Sequence, residues 1–352
     1  MAGYTLSEVL GFNTKLSDVK FGPGLVGLFV GGTSGIGETT VKAFARHAIS
    51  PRIYVVGRSQ ESYDRIANEV KALNADAKLT FLPADCSEIR EVDRVCNEVI
   101  KIEEGIQAKG KGGAEVNLLM LTVGFMSVLG RNESPEGLDR KMACHYYSRL
   151  RFINNFQPLL DTASASNKPA RVVSVLAAGH HESDIDFNDL GLKKNFSVSN
   201  CAKHSSVMTT LSFEELAKKN PGTAYVHTSP GIVKSGYLRS YDTWYMKPFI
   251  GALNILIKPW ETGFEECGER HLFVGLSGME KWVARKDREL FKKCEVGTNG
   301  ERGSGAYTVG PNNQIVGNGA YFAKLRSEGA GKKVMEHTLG VFKEVEKLNA
   351  TR

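Results

Sequence analysis

The sequence has no CxxC pair among its six cysteines, which are scattered at Cys86, Cys96, Cys144, Cys201, Cys267 and Cys294. That usage argues against a disulfide framework, gives no zinc motif, and suits a reducing, cytoplasmic compartment. The first residues lack a basic segment followed by an apolar core, so no secretory leader is expected. The longest apolar run, 248–260, is interrupted by Asn254 and Lys258 and falls short of the ~20 residues of a membrane-spanning helix. Long runs of one charge are also missing. The 45 Lys and Arg against 39 Asp and Glu leave +6 over 352 residues, and the small basic groups at 109–111 and 332–333 sit among glycines and polar residues. Without a basic stripe, no nucleic-acid partner is expected.

What remains is an ordinary globular composition, 41% hydrophobic and 24% charged, sufficient to bury a core. Short β-branched runs at 26–31, 52–56, 79–83, 116–123, 171–177 and 224–228 alternate with amphipathic stretches at 35–47, 60–75, 88–103, about 137–160 and 197–219. The rhythm predicts an α/β, Rossmann-type, doubly wound parallel sheet of six strands. After Ser235 it stops. An aromatic stretch follows (Tyr237, Tyr241, Trp244, Tyr245, Phe249, Trp260), then a helical segment at 261–276, a Gly-rich loop region at 297–319 and a charged amphipathic helix at about 332–348. No linker separates a second core-sized block, so a single domain is expected over 1–352, with a nucleotide-binding core at 24–236 and a lid and C-terminal extension at 237–352.

The segment LFVGGTSGIGETT (28–40) places Gly31, Gly35 and Gly37 between an apolar strand and an amphipathic helix. Gly31 permits a tight turn, Gly35 lets the main chain approach a pyrophosphate, and Gly37 lets the helix pack closely on the strand. The helix start at Ile36 offers N–H groups and a positive dipole end, and Thr33 and Ser34 add hydroxyls. In this strand–turn–helix context the pattern predicts dinucleotide binding.

The spacing Gly-x-x-x-Gly-x-Gly resembles that of the short-chain dehydrogenase/reductase family. The resemblance runs from about Gly24 to Ser235 and continues, more loosely, in the manner of its retinol-dehydrogenase-like branch. At the end of the second strand, where a carboxylate would bind the adenosine ribose, the chain has Gly57, Arg58 and Ser59. Arginine there favours a 2′-phosphate, so the expected cofactor is NADP(H). The resemblance further implies that Asp85 holds the adenine amino group, that Gly124 belongs to the turn after the fourth strand, and that Pro230, Gly231, Val233 and Ser235 meet the nicotinamide end.

The catalytic positions depart from the family. Its reductases use a tyrosine, a lysine four residues on, a serine after the fifth strand and an asparagine in the fourth helix. Here Ala177 falls at the serine and His145 at the asparagine, and the usual Asn-Asn-Ala-Gly turn reads Leu121-Thr-Val-Gly124. Two registers are open for the tyrosine and lysine: Phe196 with Asn200, or Ser199 with Lys203. Neither supplies a phenol. His145, Lys203 and His204, with Ser199 and Asn200 beside them, are therefore the candidates for proton chemistry. The competing reading of both histidines is packing or capping. His180 and His181 fall in the loop after the fifth strand and are expected to face solvent.

The aromatic stretch stands where the family has its substrate lid and points to a bulky apolar substrate; a dimer contact or a lipid-facing surface is the alternative. The run DFNDLGLKK (186–194) is similar to one in accessory reductases of fungal specialised metabolism. The leading expectation is carbonyl or imine reduction with NADP(H). A redox-silent cyclase, isomerase or dehydratase and a non-catalytic NADP(H) sensor are the alternatives. The family resemblance also implies a homo-oligomer paired through the fourth and fifth helices.

Overall fold

The computed structural model describes residues 3–17, 22–110, 114–125, 127, 129–233, 261–278 and 294–351. All six anticipated strands form: β1 (Val26–Val30), β2 (Arg52–Gly57), β3 (Lys78–Pro83), β4 (Leu118–Leu121), β5 (Arg171–Val175) and β6 (Ala224–Thr228). Most are apolar throughout because both faces of a parallel sheet are covered by helices. A two-residue ladder joins β7 (Ile232–Val233) to β8 (Glu261–Thr262) outside the main sheet. The main sheet is seven-stranded, in the order β3-β2-β1-β4-β5-β6-β9, and every pairing in it is parallel.

The seventh strand, β9 (Ala306–Val309), corrects the expectation of six strands and of a loop across 297–319. Four residues between Gly305 and Gly310 are too few to show a period, yet Tyr225 to Thr228 of β6 give them a partner. An antiparallel bridge between Val309 and Ile315 and a hydrogen bond from Val316 N to Thr308 O (3.0 Å) cover the outer edge of β9. The core sheet thus draws on residues beyond 236.

Among the described residues the helices are α1 (Leu6–Asn13), α2 (Gly35–His47), α3 (Gln60–Leu73), α4 (Ile89–Ala108), α5 (140–165), α6 (Val198–Lys219), α7 (264–277), α8 (Gly319–Ser327) and α9 (Ala330–Ala350). α1, unanticipated, is closed by a Thr5/Glu8 capping box and docked through Asn13, whose Nδ2 donates to Glu269 Oε2 at 2.6 Å. α5 starts where Asp139 accepts the N–H groups of Lys141 and Met142, both at 3.0 Å. It contains a π turn at Ala143–Tyr147 before continuing as Ser148–Ala165.

The apolar core forms two layers. Residues of α4, α5, α6 and α9 pack on one face of the sheet, and those of α1, α2, α3 and α7 on the other. Val334, Val341, Phe342 and Val345 of α9 join the first layer, each buried side chain contributing about 1.5–3 kcal/mol. No helix among the described residues is long and apolar enough to cross a membrane.

Candidate active site

The strand order reverses between β1 and β4, and in such sheets the crevice beyond the strand ends at that point receives ligands. At its edge Gly31 has φ +84° and donates to Val56 O at 2.9 Å, and Gly35 has φ +56°. A Cβ on Gly37 would lie 2.3 Å from Gly31 O and 2.6 Å from Thr122 Oγ1, so only glycine lets α2 seat this deeply. Ser34, the N-cap, makes no capping bond with its side chain, which leaves the helix start open to an anion. Ile36 is half-buried against the second core layer, and its carbonyl accepts the hydroxyls of Thr39 (3.0 Å) and Thr40 (2.7 Å).

Thr33 stands over Gly57, where a Cβ would meet its Oγ1 at 2.5 Å. Arg58 follows, exposed at the rim, and Ser59 accepts Ser62 N at 3.1 Å as the cap of α3. Asp85 accepts Ser87 N at 2.9 Å and meets Arg140 Nη1 at 3.3 Å. Burial works to raise its pKa, but the bonds from Ser87 and the charges of Arg140 and Arg58 outweigh it and hold the carboxyl low. Thus Arg58 and Asp85 belong to one electrostatic neighbourhood.

At the other end Thr122 Oγ1 donates to Val30 O at 2.9 Å and latches β4 to β1. Gly124 lies exposed just beyond. Gly231 has φ +72°, and a Cβ there would meet Pro311 at 2.8 Å. Pro230 is half-buried beside it, and Val233 pairs with Thr262. Ser235 and the aromatic stretch 237–260 lie outside the described residues.

The candidates for proton chemistry do not converge. Ser206 Oγ donates to Ala177 O and to His180 O, both at 3.2 Å, so position 206 of α6 faces the end of β5. The position one turn earlier on that stripe is Ala202. Ser199 is exposed, Asn200 Nδ2 donates to Asn195 O at 2.8 Å, and Lys203 is half-buried to one side. His204 spends both ring nitrogens on the loop before α6: Nε2 accepts Asp186 N at 3.2 Å, and Nδ1 meets Leu190 O at 3.4 Å. Burial lowers its pKa. In this arrangement His204 is a loop clamp. His180 and His181 are exposed, the latter at φ +58°.

Two residues that carried no sequence signal organise the strand ends. The fully buried Arg149 donates to Ser174 Oγ (2.7 Å), Val175 O (2.8 Å), Val123 O (2.5 Å) and Cys144 O (3.1 Å), tying β4, β5 and the π turn together. His227 of β6 accepts Ala177 N and reaches Thr210.

His145 sits on the π turn, 8% exposed, and its Nε2 has no hydrogen-bond partner among the described residues. A Cβ on Gly124 would stand 3.0 Å from that nitrogen and 3.8 Å from Arg149 Nη2. Burial first, then the cations Arg149 and Lys141, push its pKa down to about 3, against a hydrogen bond to the main chain of Phe125. The imidazole is neutral at physiological pH.

The fold and the glycine turn define a Rossmann-type, doubly wound α/β protein. No family model matches the chain. It is 36% identical over 328 residues to "Oxidoreductase AN1596" of Emericella nidulans, covering 90% of this chain and 92% of that one. To "NmrA-like family domain-containing oxidoreductase notO" of an Aspergillus species it is 32% identical, covering 91% and 89%. "Short-chain dehydrogenase/reductase SAT2" of Stachybotrys chartarum is 29% identical, over 96% and 97%. Among solved structures, the NADPH-bound carbonyl reductase from chicken fatty liver superposes with a TM-score of 0.55 at 16% identity, over 84% of this chain and 98% of that one, a likeness of fold. The chain belongs to the short-chain dehydrogenase/reductase superfamily, with fungal oxidoreductases among its relatives.

Proposed function

We propose that this chain is an NADP(H)-dependent oxidoreductase acting on a hydrophobic small molecule, by carbonyl or imine reduction, without the family's tyrosine and serine. The observation that carries the cofactor assignment is the seat at Gly31 and Gly37, too tight for any Cβ, below a helix start that its own N-cap leaves open. Those features fit a pyrophosphate. Gly31, Thr33, Ser34, Gly35, Ile36 and Gly37 would hold it, Arg58 and Ser59 the 2′-phosphate, Asp85 the adenine, and Gly124, Pro230, Gly231, Val233 and Ser235 the nicotinamide end. When bound, the nicotinamide supplies or accepts the hydride.

The protein's own work is to hold the reacting partners together and to exclude water, since positioning alone lowers a barrier substantially. Arg149 and His227 fix the strand ends around that space, while Ala177, just beyond β5, brings no hydroxyl to it. The aromatic stretch at 237–260 supports an apolar substrate, and the run at 186–194 supports a place in specialised metabolism. α9 packs on α5 and α6, with Tyr146 bonded to Thr338 and Arg151 to Glu346, so a homo-oligomer of this chain would use another surface.

Calorimetry with NADPH and NADH tests the cofactor assignment: NADPH binds at least about tenfold more tightly, the difference of a charge-assisted contact. Substrate-dependent NADPH consumption establishes reduction. Product without cofactor turnover identifies the redox-silent alternative, which the loss of both hydroxyls favours, and binding without any product identifies a sensor.

A further inference from the structure

We propose that the cavity on the outer edge of β9 is a second ligand site, which takes a small neutral molecule with an apolar body and one acceptor oxygen. β5 and β6 stand between β9 and the pair β1 and β4, whose crevice faces the glycine turn. The inference therefore depends neither on the cofactor reading nor on the reaction.

The cavity holds about 410 Å³, within the ~300–1,000 Å³ of pockets that enclose small ligands. Thr308 of β9, Ile315 and Val316 of the return segment, and Phe322, Ala323 and Arg326 of α8 line it. Its mouth is open. Asn299, Gly300, Gly317 and Gly319, also in the lining, are exposed, and a Cβ on Gly300 or Gly319 would meet nothing within 4 Å. An added strand has no ladder to join here. The carbonyls of Ala306 and Thr308 already accept Thr298 N and Val316 N, both at 3.0 Å, and Thr308 Oγ1 donates to Val316 O at 2.5 Å. With the edge of β9 closed by the chain's own hydrogen bonds, the space beside it suits a small molecule.

The charges select a neutral ligand. Among the described residues Arg326 is the charged member of the lining, and its Nη1 donates to Glu214 Oε1 at 2.9 Å and to Thr298 O at 3.2 Å. Glu214, buried on α6, cancels that charge. Beside Gly317, a Cβ would lie 3.2 Å from Glu182 Oε1. An incoming anion thus meets two carboxylates against one guanidinium, and it loses hydration against the apolar walls. A cation meets Arg326, while both carboxylates are engaged, Glu182 by Gly179 N at 3.2 Å. Among the described residues Arg326 Nε and Nη2 make no hydrogen bond. A carbonyl or ether oxygen can take one of them without adding charge.

The test uses the full-length chain, ¹³C-labelled in its Ile δ1 and Ala β methyls, with excess NADP⁺ so that no ketone is reduced. It is titrated with octan-2-one and with octanoate, and affinity is read from the shift of the Ile315 methyl. Octan-2-one should give NOEs to Ile315 and Ala323 and bind at least about tenfold more tightly than octanoate. Absence of those NOEs, or octanoate binding as tightly as the ketone, overturns the proposal. Ala323→Trp fills the cavity from an exposed position of α8 and should abolish the NOE to Ile315 at an unchanged Tm. The ketone still reaching Ile315 in that variant also overturns it. Glu214→Leu combined with Arg326→Leu removes the ion pair as a unit and should weaken octan-2-one about tenfold, through the lost donor. Undiminished affinity there would show that the guanidinium recognises nothing, and the proposal falls.

Discussion

The imidazole of His227 accepts the main-chain N–H of Ala177 through Nε2 at 3.3 Å, which makes Nδ1 the donor to Thr210 Oγ1 at 2.9 Å. One side chain therefore ties the end of β5 to the middle of α6 across β6. His227→Leu leaves both groups without their partner, and each such buried group costs about 1–3 kcal/mol. A loss of about 3 kcal/mol in urea unfolding, with an unchanged m-value, is expected; a loss below about 1 kcal/mol would contradict this role.

Acid should destabilise the fold early. Burial first, with help from nearby cations, holds His145 and His227 down to about 3 and His271 to about 4. In the unfolded chain each takes a proton near pH 6.5, about the unperturbed histidine value. Below that pH the unfolded state binds more protons, so stability is full above about pH 6.5 and drains away as pH falls toward 3 to 4. By pH 5 each histidine should cost roughly 2 kcal/mol. Thermal melts between pH 7.5 and 5 check this; a flat Tm across that range contradicts the lowered values.

Gly37→Ala places a methyl within 2.3 Å of Gly31 O. Either α2 lifts from the turn or the turn opens, at a cost of about 1–3 kcal/mol for an overpacked site. NADPH affinity measured by calorimetry should fall at least about tenfold with this shift of the phosphate seat. Unchanged affinity would detach the glycine turn from cofactor binding.

Arg58→Ala should weaken NADPH about tenfold or more and leave NADH nearly untouched, because the lost contact is to the 2′-phosphate. Equal weakening of both nucleotides would assign Arg58 to general electrostatics around Asp85.

Tyr146 is fully buried and its hydroxyl meets Ser212 Oγ at 2.8 Å and Thr338 Oγ1 at 2.7 Å, joining α5, α6 and α9. Tyr146→Phe should cost about 1–2 kcal/mol. Hydrogen exchange should rise first in 330–350; protection there equal to wild type would show that apolar packing alone holds α9.

Much of this architecture was legible because a parallel sheet writes itself as β-branched runs buried on both faces, and β1, β2 and β6 emerge within a residue of their anticipated limits. β9 was hidden by its brevity and its glycine neighbours. In the site, the glycine turn announces itself through residue type, since only glycine tolerates the contacts at position 37. Position 206 of α6 did not, because each residue turns a helix by about 100°, and the hydroxyl that meets the end of β5 lies three residues beyond Lys203. Arg149 and His227 act through contacts distant in sequence, with no local pattern to mark them.

The five-residue turn at Ala143–Tyr147 holds one residue more than α geometry would use over the same rise. The two halves of α5 are therefore out of phase by about 100°. Loss of a single amino acid here would be costly. Whichever half stayed docked, its neighbour would swing around the axis, taking either His145 away from Gly124 or Arg149 away from the strand ends.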